Sequence, residues 1–309
     1  MVRRIILRYY RIIDLNGDVN LFVETGDDVL ESITSVENDI VDILDLIKSA
    51  SYSGDTIDNL AGLILDSGNP EKTALSEVAF TFADIDQCDY TADRPFDPPE
   101  VWAAGVTYKN SEMERRRESE TPDIYSNVYN ADRPEIFFKS TSDRCMGPLE
   151  DVGIRSDSTW DVPEPELAFV TFKGEIIGYT IGNDMSSRSI EGENALYLPQ
   201  AKVYEKSCAI GPCFITSESL GDPQKLNIEC SIVRNGTQIF HDSTSTSQMA
   251  RTCSEISEWL HKNNYVPDLT TVLTGTSIVP PPEFTLQSGD QVAITIDRIG
   301  VLENSVIEV

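Results

Sequence analysis

The sequence predicts an α+β protein in which strands predominate. Short alternating or continuous apolar runs recur along the chain, separated by turns rich in Gly, Pro and Asn-Gly. Helical spacing of apolar residues is clear only at residues 37–50, 56–65 and 248–263. A proline-rich stretch divides the chain, so we expect a small α+β domain over residues 1–95 and a β-rich domain over residues 96–309.

The composition is that of an acidic globular protein. Its 52 aspartates and glutamates outnumber 24 lysines and arginines, which gives a formal net charge of −28. Such a surface repels nucleic acid and anionic lipid, and this excludes both as main partners. At molar salt, repulsion between the surface charges is screened within about 3 Å, which makes so acidic a surface tolerable. We therefore expect a halophilic protein. With no apolar run as long as a membrane span and no signal-peptide pattern, we expect it to be cytoplasmic.

The cysteines and histidines carry little of the expected chemistry. The six cysteines show no C-x-x-C pair and no zinc spacing, so we expect buried, free thiols. His241 and His261 lie late in the chain, far from the acidic motif described next. We expect structural roles for both histidines.

Two glutamates lie at the entrance to an apolar stretch. Glu164 and Glu166 each follow a proline and precede the apolar residues 167–172. Proline disfavours helix here, and in a strand the side chains at i and i+2 share one face. Two carboxylates at the mouth of a buried strand repel each other, and a divalent cation relieves that repulsion. In so acidic a chain, the alternative is a pair of solvated acids.

A hairpin brings a third carboxylate to this pair. Residues 167–172 and 176–181 predict two antiparallel strands that turn at Gly174. Counting outward from the turn places Asp184 opposite Glu164. Three carboxylates suit magnesium, calcium or manganese. Asp184 has a second interpretation, as the N-cap of the helical turn that follows it.

Four further polar residues stand in apolar surroundings. Glu135 and Lys139 flank a bulky apolar strand, where the alternatives are a salt bridge or, for Lys139, contact with a substrate. Lys202 lies among apolar and aromatic residues, so it is either a base with a lowered pKa or a cation that balances the acids. Tyr108 ends another predicted strand, and we include it among the candidate substrate contacts.

The segment over residues 109–125 is highly charged. It predicts a helix or an exposed lid, with a basic patch at Arg115, Arg116 and Arg117. This patch would meet an anionic substrate, or it would simply be the solvated face of a helix.

Several segments of the chain form a recognisable set of motifs: residues 97–102, 133–139, 144–145, 155–158, 163–168, 193–202 and 274–276. In order and spacing, they resemble the fumarylacetoacetate hydrolase superfamily, and within it the dehydratases of 2-keto-3-deoxypentonates. The resemblance runs from about residue 95 to the C-terminus and is weaker over the N-terminal domain.

The resemblance implies a mixed β-roll catalytic domain behind the small N-terminal domain, in a homo-oligomer such as a dimer or tetramer. It implies magnesium on Glu164, Glu166 and Asp184, which agrees with the hairpin argument. It also implies catalytic roles for Glu135 and Lys202, without saying which is the base and which the acid. Substrate contact is implied for a threonine of the Thr-Gly-Thr turn, Thr276.

The implied activity is magnesium-dependent dehydration of an α-keto acid substrate, 2-keto-3-deoxyarabinonate or 2-keto-3-deoxyxylonate, to 2,5-dioxopentanoate in pentose breakdown. Hydrolytic members carry a His/Glu pair after the first strand of the catalytic domain. Residues 109–125 contain no histidine, and this favours a lyase. The alternatives are an acylpyruvate-type hydrolase or keto-acid decarboxylase on the same scaffold, and a non-catalytic domain stabilised by metal.

Overall fold

Strands predominate over helices in the computed structural model, which describes residues 6–26, 29–68, 90–118 and 122–309. The strands are β1 (Arg8–Ile13), β2 (Val19–Gly26), β3 (Val29–Ser32), β4 (Thr91–Asp93), β5 (Val101–Gly105), β6 (Glu135–Ser140), β7 (Cys145–Met146), β8 (Asp151–Ile154), β9 (Asp161–Val162), β10 (Pro165–Phe172), β11 (Glu175–Asp184), β12 (Ser186–Ser187), β13 (Cys208–Thr216), β14 (Asn227–Arg234), β15 (Thr237–Ser245), β16 (Thr271–Leu273), β17 (Gln291–Ile296) and β18 (Gly300–Glu308). The α-helices are α1 (Ile33–Val36), α2 (Ile43–Ser53), α3 (Ile57–Ser67), α4 (Lys109–Glu118), α5 (Pro122–Asn130), α6 (Arg188–Glu193), α7 (Leu198–Lys202), α8 (Ser217–Leu220) and α9 (Cys253–His261). The predicted strand-rich α+β class is confirmed.

One mixed sheet joins both parts of the chain. Its main path runs β3-β2-β1-β13-β11-β10-β16-β5-β6, with β4 paired to β1 and β7 paired to β13. A second sheet has the order β15-β14-β17-β18-β8, and β9 pairs with β12. Because β1 hydrogen-bonds to β13, the N-terminal strands extend the sheet of the second part. The domain boundary at residue 95, which falls between β4 and β5, stays a prediction.

Strand β10 is buried on both faces. Leu167 and Phe169 pack in the core between the two sheets, whereas Ala168 and Val170 pack in the core that includes helix α2. A strand covered on both sides has no reason to alternate apolar with polar residues. This explains the continuous apolar run that the sequence shows there.

Helix boundaries differ from the prediction where a capping residue takes over. Helix α2 begins six residues later than expected because the Asp42 side chain accepts a hydrogen bond from the Asp45 amide. Helix α9 is capped by Thr252 and begins at Cys253, five residues later than the expected start at residue 248. Residues 109–125, expected to form a helix or an exposed lid, contain helix α4 and the beginning of helix α5. Strands β1 and β2 pair as one antiparallel hairpin, and β17 and β18 pair as another.

Five of the six cysteines fall in the described ranges, and all five are buried and free, as expected; Cys88 lies outside those ranges. His241 is exposed on β15, and the His261 ring nitrogen Nδ1 is 2.8 Å from the Ser257 carbonyl oxygen at the end of α9. Along the described parts of the chain, no helix is both long and apolar enough to cross a membrane.

Candidate active site

The β10–β11 hairpin places Glu164 opposite Asp184, as the sequence predicts. Pro165 pairs with Asn183, and the Asp184 amide donates a 3.0 Å hydrogen bond to the Glu164 carbonyl oxygen. The alternative role of Asp184 as a helix N-cap is wrong, because Ser187 caps helix α6.

A bulge in β11 sets this register. The two-residue turn at Lys173 and Gly174, both with positive φ, pairs Phe172 with Glu175. Continued without interruption, that pairing would set residue 164 against residue 183. Ile177 is an extra residue in β11, since Thr171 pairs with Ile176 but Val170 pairs with Gly178. The bulge therefore moves the register by one residue and brings Asp184 to the site.

Three buried carboxylates meet at this end of the hairpin. Glu164, Glu166 and Asp184 each offer an oxygen, and the three oxygens lie within 4.8 Å of one another. Burial, then the charges of Asp184 and Glu164, raise the pKa of Glu166. The Gly275 amide donates to Glu166 Oε2 at 2.5 Å. The three carboxylates repel one another, and a divalent cation of the size of magnesium would relieve that repulsion. Because all three side chains offer oxygen ligands, they fit such an ion.

Three cations surround the carboxylate of Glu164. Lys202 Nζ is 2.9 Å from Oε2, and the guanidinium nitrogens of Arg115 and Arg188 are 2.8 and 3.2 Å from Oε1. Burial alone would raise the pKa of Glu164, but these three cations outweigh it and lower the pKa. The Glu164 carboxylate is therefore held ionised, as a metal ligand must be.

Lys202 is a buried cation in the centre of the site. Its ammonium donates to Glu164 Oε2 at 2.9 Å, Asp184 Oδ2 at 3.1 Å and Ser186 Oγ at 2.6 Å. Burial lowers the pKa of Lys202, but the charges of Asp184, Glu164 and Glu191 outweigh it and raise the pKa. Of the two alternatives for Lys202, this direction favours the cation that balances the acids over the base with a lowered pKa, because the surrounding carboxylates stabilise the ammonium form.

Glu135 faces the same cleft from strand β6. The residue paired with it on β5 is Gly105, and a Cβ atom at that position would collide with the Glu135 carboxyl group. Burial, then the charge of Glu191, raise the pKa of Glu135. A carboxyl group with a pKa moved toward neutrality is suited to proton transfer.

The predicted substrate contacts divide into three cases. Thr276 lines the cleft, and its hydroxyl accepts from the Ile278 amide at 3.1 Å. Tyr108 is buried nearby, where burial and then the charge of Glu166 raise its pKa, and its substrate contact stays a prediction. Lys139 is fully buried behind Asp184, outside the lining of the cleft, which corrects the expected substrate contact.

Two further charged residues line the cleft: Arg115, which the sequence placed only in a basic patch, and Glu191, which the sequence did not single out. Arg115, on α4, donates to Glu164 and forms an ion pair with Glu191 of α6. Arg116 and Arg117 of the same patch are largely exposed and pair with glutamates of their own helix. The solvated-face interpretation thus holds for two arginines and fails for the third.

These features define a metal-dependent acid–base site in a strand-rich fold, and comparison with known proteins places it in a family. The family model described as fumarylacetoacetate (FAA) hydrolase C-terminal matches residues 100–307. The chain belongs to the fumarylacetoacetate hydrolase family.

Two relatives and one solved structure share most of their length with this chain. A probable 2-keto-3-deoxyxylonate dehydratase from Haloferax volcanii is 46% identical over 97% of this chain and 100% of the relative. The 2-dehydro-3-deoxy-D-arabinonate dehydratase of Saccharolobus solfataricus is 46% identical over 69% of this chain and 74% of the relative. A solved 2-keto-3-deoxy-D-arabinonate dehydratase complexed with magnesium and 2,5-dioxopentanoate is 33% identical, with a TM-score of 0.81 and coverage of 98% of this chain and 99% of that one.

Proposed function

We propose that this chain is a magnesium-dependent hydro-lyase that converts a 2-keto-3-deoxypentonate to 2,5-dioxopentanoate. The observation that carries the proposal is the meeting of three buried carboxylates with Glu135 and Lys202 in one cleft. Two relatives, one matched over its full length and one over 74% of it, are named as dehydratases of this substrate class. The similar solved structure is complexed with magnesium and 2,5-dioxopentanoate, which supports the same substrate class.

Glu164, Glu166 and Asp184 would hold the magnesium ion. When bound there, it would supply Lewis-acid polarisation of the C2 ketone of the substrate, which makes the C3 protons more acidic. The three carboxylates lie on the buried end of the β10–β11 hairpin, where surrounding strands fix their positions.

Glu135 and Lys202 would carry the two proton transfers. Glu135 has a carboxyl group at the cleft with a raised pKa, so it is the better base for a C3 proton. Lys202 presents an ammonium group in the same cleft, 2.9 Å from Glu164 Oε2, so we assign it as the proton donor to the departing C4 hydroxyl. The sequence left this assignment open, and the carboxyl group of Glu135 and the ammonium group of Lys202 in one cleft support it.

The reaction balances with the release of one water molecule. Loss of a C3 proton and the C4 hydroxyl leaves a double bond between C3 and C4. A hydrogen then moves from C5 to C3, and the resulting enol tautomerises to the aldehyde at C5. The carboxylate and the ketone at C2 are unchanged, so neither an oxidant nor a second substrate is required.

Product analysis separates this proposal from its alternatives. Synthetic 2-keto-3-deoxyxylonate and 2-keto-3-deoxyarabinonate, each labelled with ¹³C, are incubated with the protein and magnesium and followed by NMR. A dehydratase gives 2,5-dioxopentanoate with all five carbons retained. Cleavage of a carbon–carbon bond or release of carbon dioxide would favour a hydrolase or decarboxylase, and an unchanged substrate would favour a non-catalytic domain.

We also propose that the protein is cytoplasmic, adapted to high salt, and a homo-oligomer. The net charge of −28 and the Haloferax relative support salt adaptation. Sedimentation in concentrated KCl tests the assembly, since a dimer or tetramer would sediment well ahead of a 34.3 kDa monomer.

A further inference from the structure

One lysine outside the cleft is enclosed entirely by protein. The side chain of Lys139 is fully buried, and its ammonium nitrogen lies 2.6 Å from Asp184 Oδ1. It donates to the carbonyl oxygens of Met185 at 2.8 Å and Lys202 at 2.5 Å, and the Tyr204 ring centre is 5.8 Å away. A buried ammonium group is costly unless acceptors or an opposite charge surround it, and this one has two carbonyl acceptors and the Asp184 carboxylate.

These three partners of Lys139 belong to two separate elements of the site. Asp184 and Met185 are consecutive residues at the end of β11, whereas Lys202 is the last residue of helix α7. Lys139 therefore fixes the backbone of α7 relative to the end of β11. Asp184 is consequently held from two sides, with Oδ1 facing Lys139 and Oδ2 3.1 Å from the Lys202 ammonium.

Strand β6 brings this lysine and the proposed base to the same site. Glu135 and Phe137 both line the cleft, and Lys139 reaches Asp184 although the pairing of β6 with β5 is irregular at this lysine. Phe137 lies between the other two, with its ring centre 5.5 Å from the Lys202 ammonium. One strand thus presents a proton-transfer group at the cleft and a charged anchor behind it.

We propose that Lys139 is a positioning residue for magnesium binding, which acts through Asp184 and the backbone of Lys202 and touches no substrate. The inference rests on the proposed function, because it assumes that Asp184 is a magnesium ligand. Partners that orient a metal ligand typically account for about 10- to 100-fold in metal affinity. Loss of the ammonium group should weaken magnesium binding by about that factor.

The test is calorimetric titration of magnesium chloride into the full-length protein and its Lys139→Met variant. The wild type is measured first, and a wild type that binds no magnesium would overturn both this inference and the proposed function. If it binds, the variant should have a dissociation constant about 10- to 100-fold higher. At saturating magnesium its KM for the keto acid should match the wild type, whereas a direct substrate contact would raise KM.

Two control variants separate positioning from general destabilisation. Lys173→Met makes the same change in the hairpin turn, where the ammonium donates to Ser51 Oγ at 2.8 Å and lies 5.1 Å from the centre of the Phe172 ring. It should leave magnesium affinity unchanged. Val170→Ala opens the core of β10 and should lower stability without lowering magnesium affinity. Wild-type magnesium affinity in Lys139→Met would overturn the proposal.

A further variant and a measurement on the wild type keep the test decisive if methionine prevents folding. Lys139→Gln replaces the ammonium group with an uncharged amide that can still donate hydrogen bonds, and it should also weaken magnesium binding. In ¹⁵N-lysine spectra of the wild type, the Lys139 ammonium signal should shift when magnesium is added, whereas the Lys173 signal should not. An unmoved Lys139 signal in a protein that binds magnesium would overturn the proposal.

Discussion

Gly105 and Glu135 are paired across strands β5 and β6, and the carboxyl group of the glutamate occupies the space where any other residue would place its Cβ atom. The glycine is therefore part of how the proposed base is positioned. Its backbone conformation does not require glycine, since its φ is not in the left-handed region. The requirement comes from the carboxyl group opposite.

Gly105→Ala should impair catalysis more than folding. The added methyl group would push the Glu135 carboxyl group away from its place at the cleft, and we expect kcat to fall at least about 10-fold, because misplacement of a reacting group is costly. Magnesium affinity, measured by calorimetry, should stay within about twofold because the metal ligands lie on other strands.

The matched control is Gly62→Ala in helix α3, where a Cβ atom meets nothing within 4 Å. It should leave kcat unchanged and raise the free energy of unfolding by about 0.5–1 kcal/mol, since alanine is the better helix former. Wild-type kcat in Gly105→Ala would contradict the positioning of Glu135 described above.

Arg115→Met should lower kcat/KM by about 10- to 100-fold. The substitution removes one of the two guanidinium groups beside Glu164 and the ion pair of Arg115 with Glu191, and a hydrogen bond to a charged group contributes about 1.5–3 kcal/mol. Steady-state kinetics on the keto acid measure the effect. The neighbouring Arg116→Met is the control, because Arg116 is half exposed and pairs with Glu112 at 3.5 Å. Equal losses in the two variants would show that charge alone, and not contact with the cleft, is responsible.

Asp161 should make stability depend on pH. Burial raises its pKa from 3.8 to about 6, so the folded protein binds a proton that the unfolded chain releases between these values. The Asp161 carboxyl group is compatible with its buried site when protonated, so its contribution to the free energy of unfolding is fully present at low pH. That contribution is lost as the pH rises through about 6 and the group ionises in the folded protein. Asp161→Asn should therefore be more stable than the wild type at pH 7.5.

The expected size of the Asp161 effect follows from the two pKa values. The full difference corresponds to about 3 kcal/mol, and we expect about 1–2 kcal/mol after screening by nearby solvent. Denaturant unfolding from pH 5 to pH 7.5 stays above the isoelectric point near 4.2. The advantage of the asparagine variant should grow across this range, and a constant difference would contradict the raised pKa.

The cluster of three carboxylates could be predicted from the sequence because hairpin geometry is local. Apolar runs on either side of Gly174 fix two antiparallel strands, and the side-chain period of a strand puts Glu164 and Glu166 on one face. The register was right although the sequence gives no sign of the bulge at Ile177. Counting with Gly174 as the centre shifts the register by one residue relative to the two-residue turn. The bulge at Ile177 makes the same one-residue shift, so the two agree.

Arg115 and Lys139 could not be placed from the sequence because their partners are distant in the chain. Helix α4 turns a polar face toward the site, so no apolar stripe marks Arg115 as buried. The sequence around Lys139 is compatible with an ammonium group that contacts a substrate and with one that pairs with a carboxylate. The packing of β11 and α7 against β6 distinguishes the two. Ionised residues are placed by tertiary contacts more than by local pattern.

Salt should stabilise the protein. With a net charge of −28, like-charge repulsion destabilises the folded state, and the screening length falls from about 10 Å at 0.1 M to about 3 Å at 1 M. We expect the Tm to rise as KCl is increased from 0.1 to 3 M, as measured by differential scanning calorimetry. A Tm that stays constant or falls over this range would contradict salt adaptation.

Magnesium dependence of dehydration tests the central claim most directly. Wild-type protein and Glu166→Gln are freed of divalent cations with a chelator, and formation of 2,5-dioxopentanoate is followed as magnesium is added back. Both proteins should be folded, but only the wild type should regain activity, with half-saturation at the dissociation constant found by calorimetry and one ion bound per chain. Dehydration by the chelated wild type, or full magnesium-dependent activity in Glu166→Gln, would contradict the account.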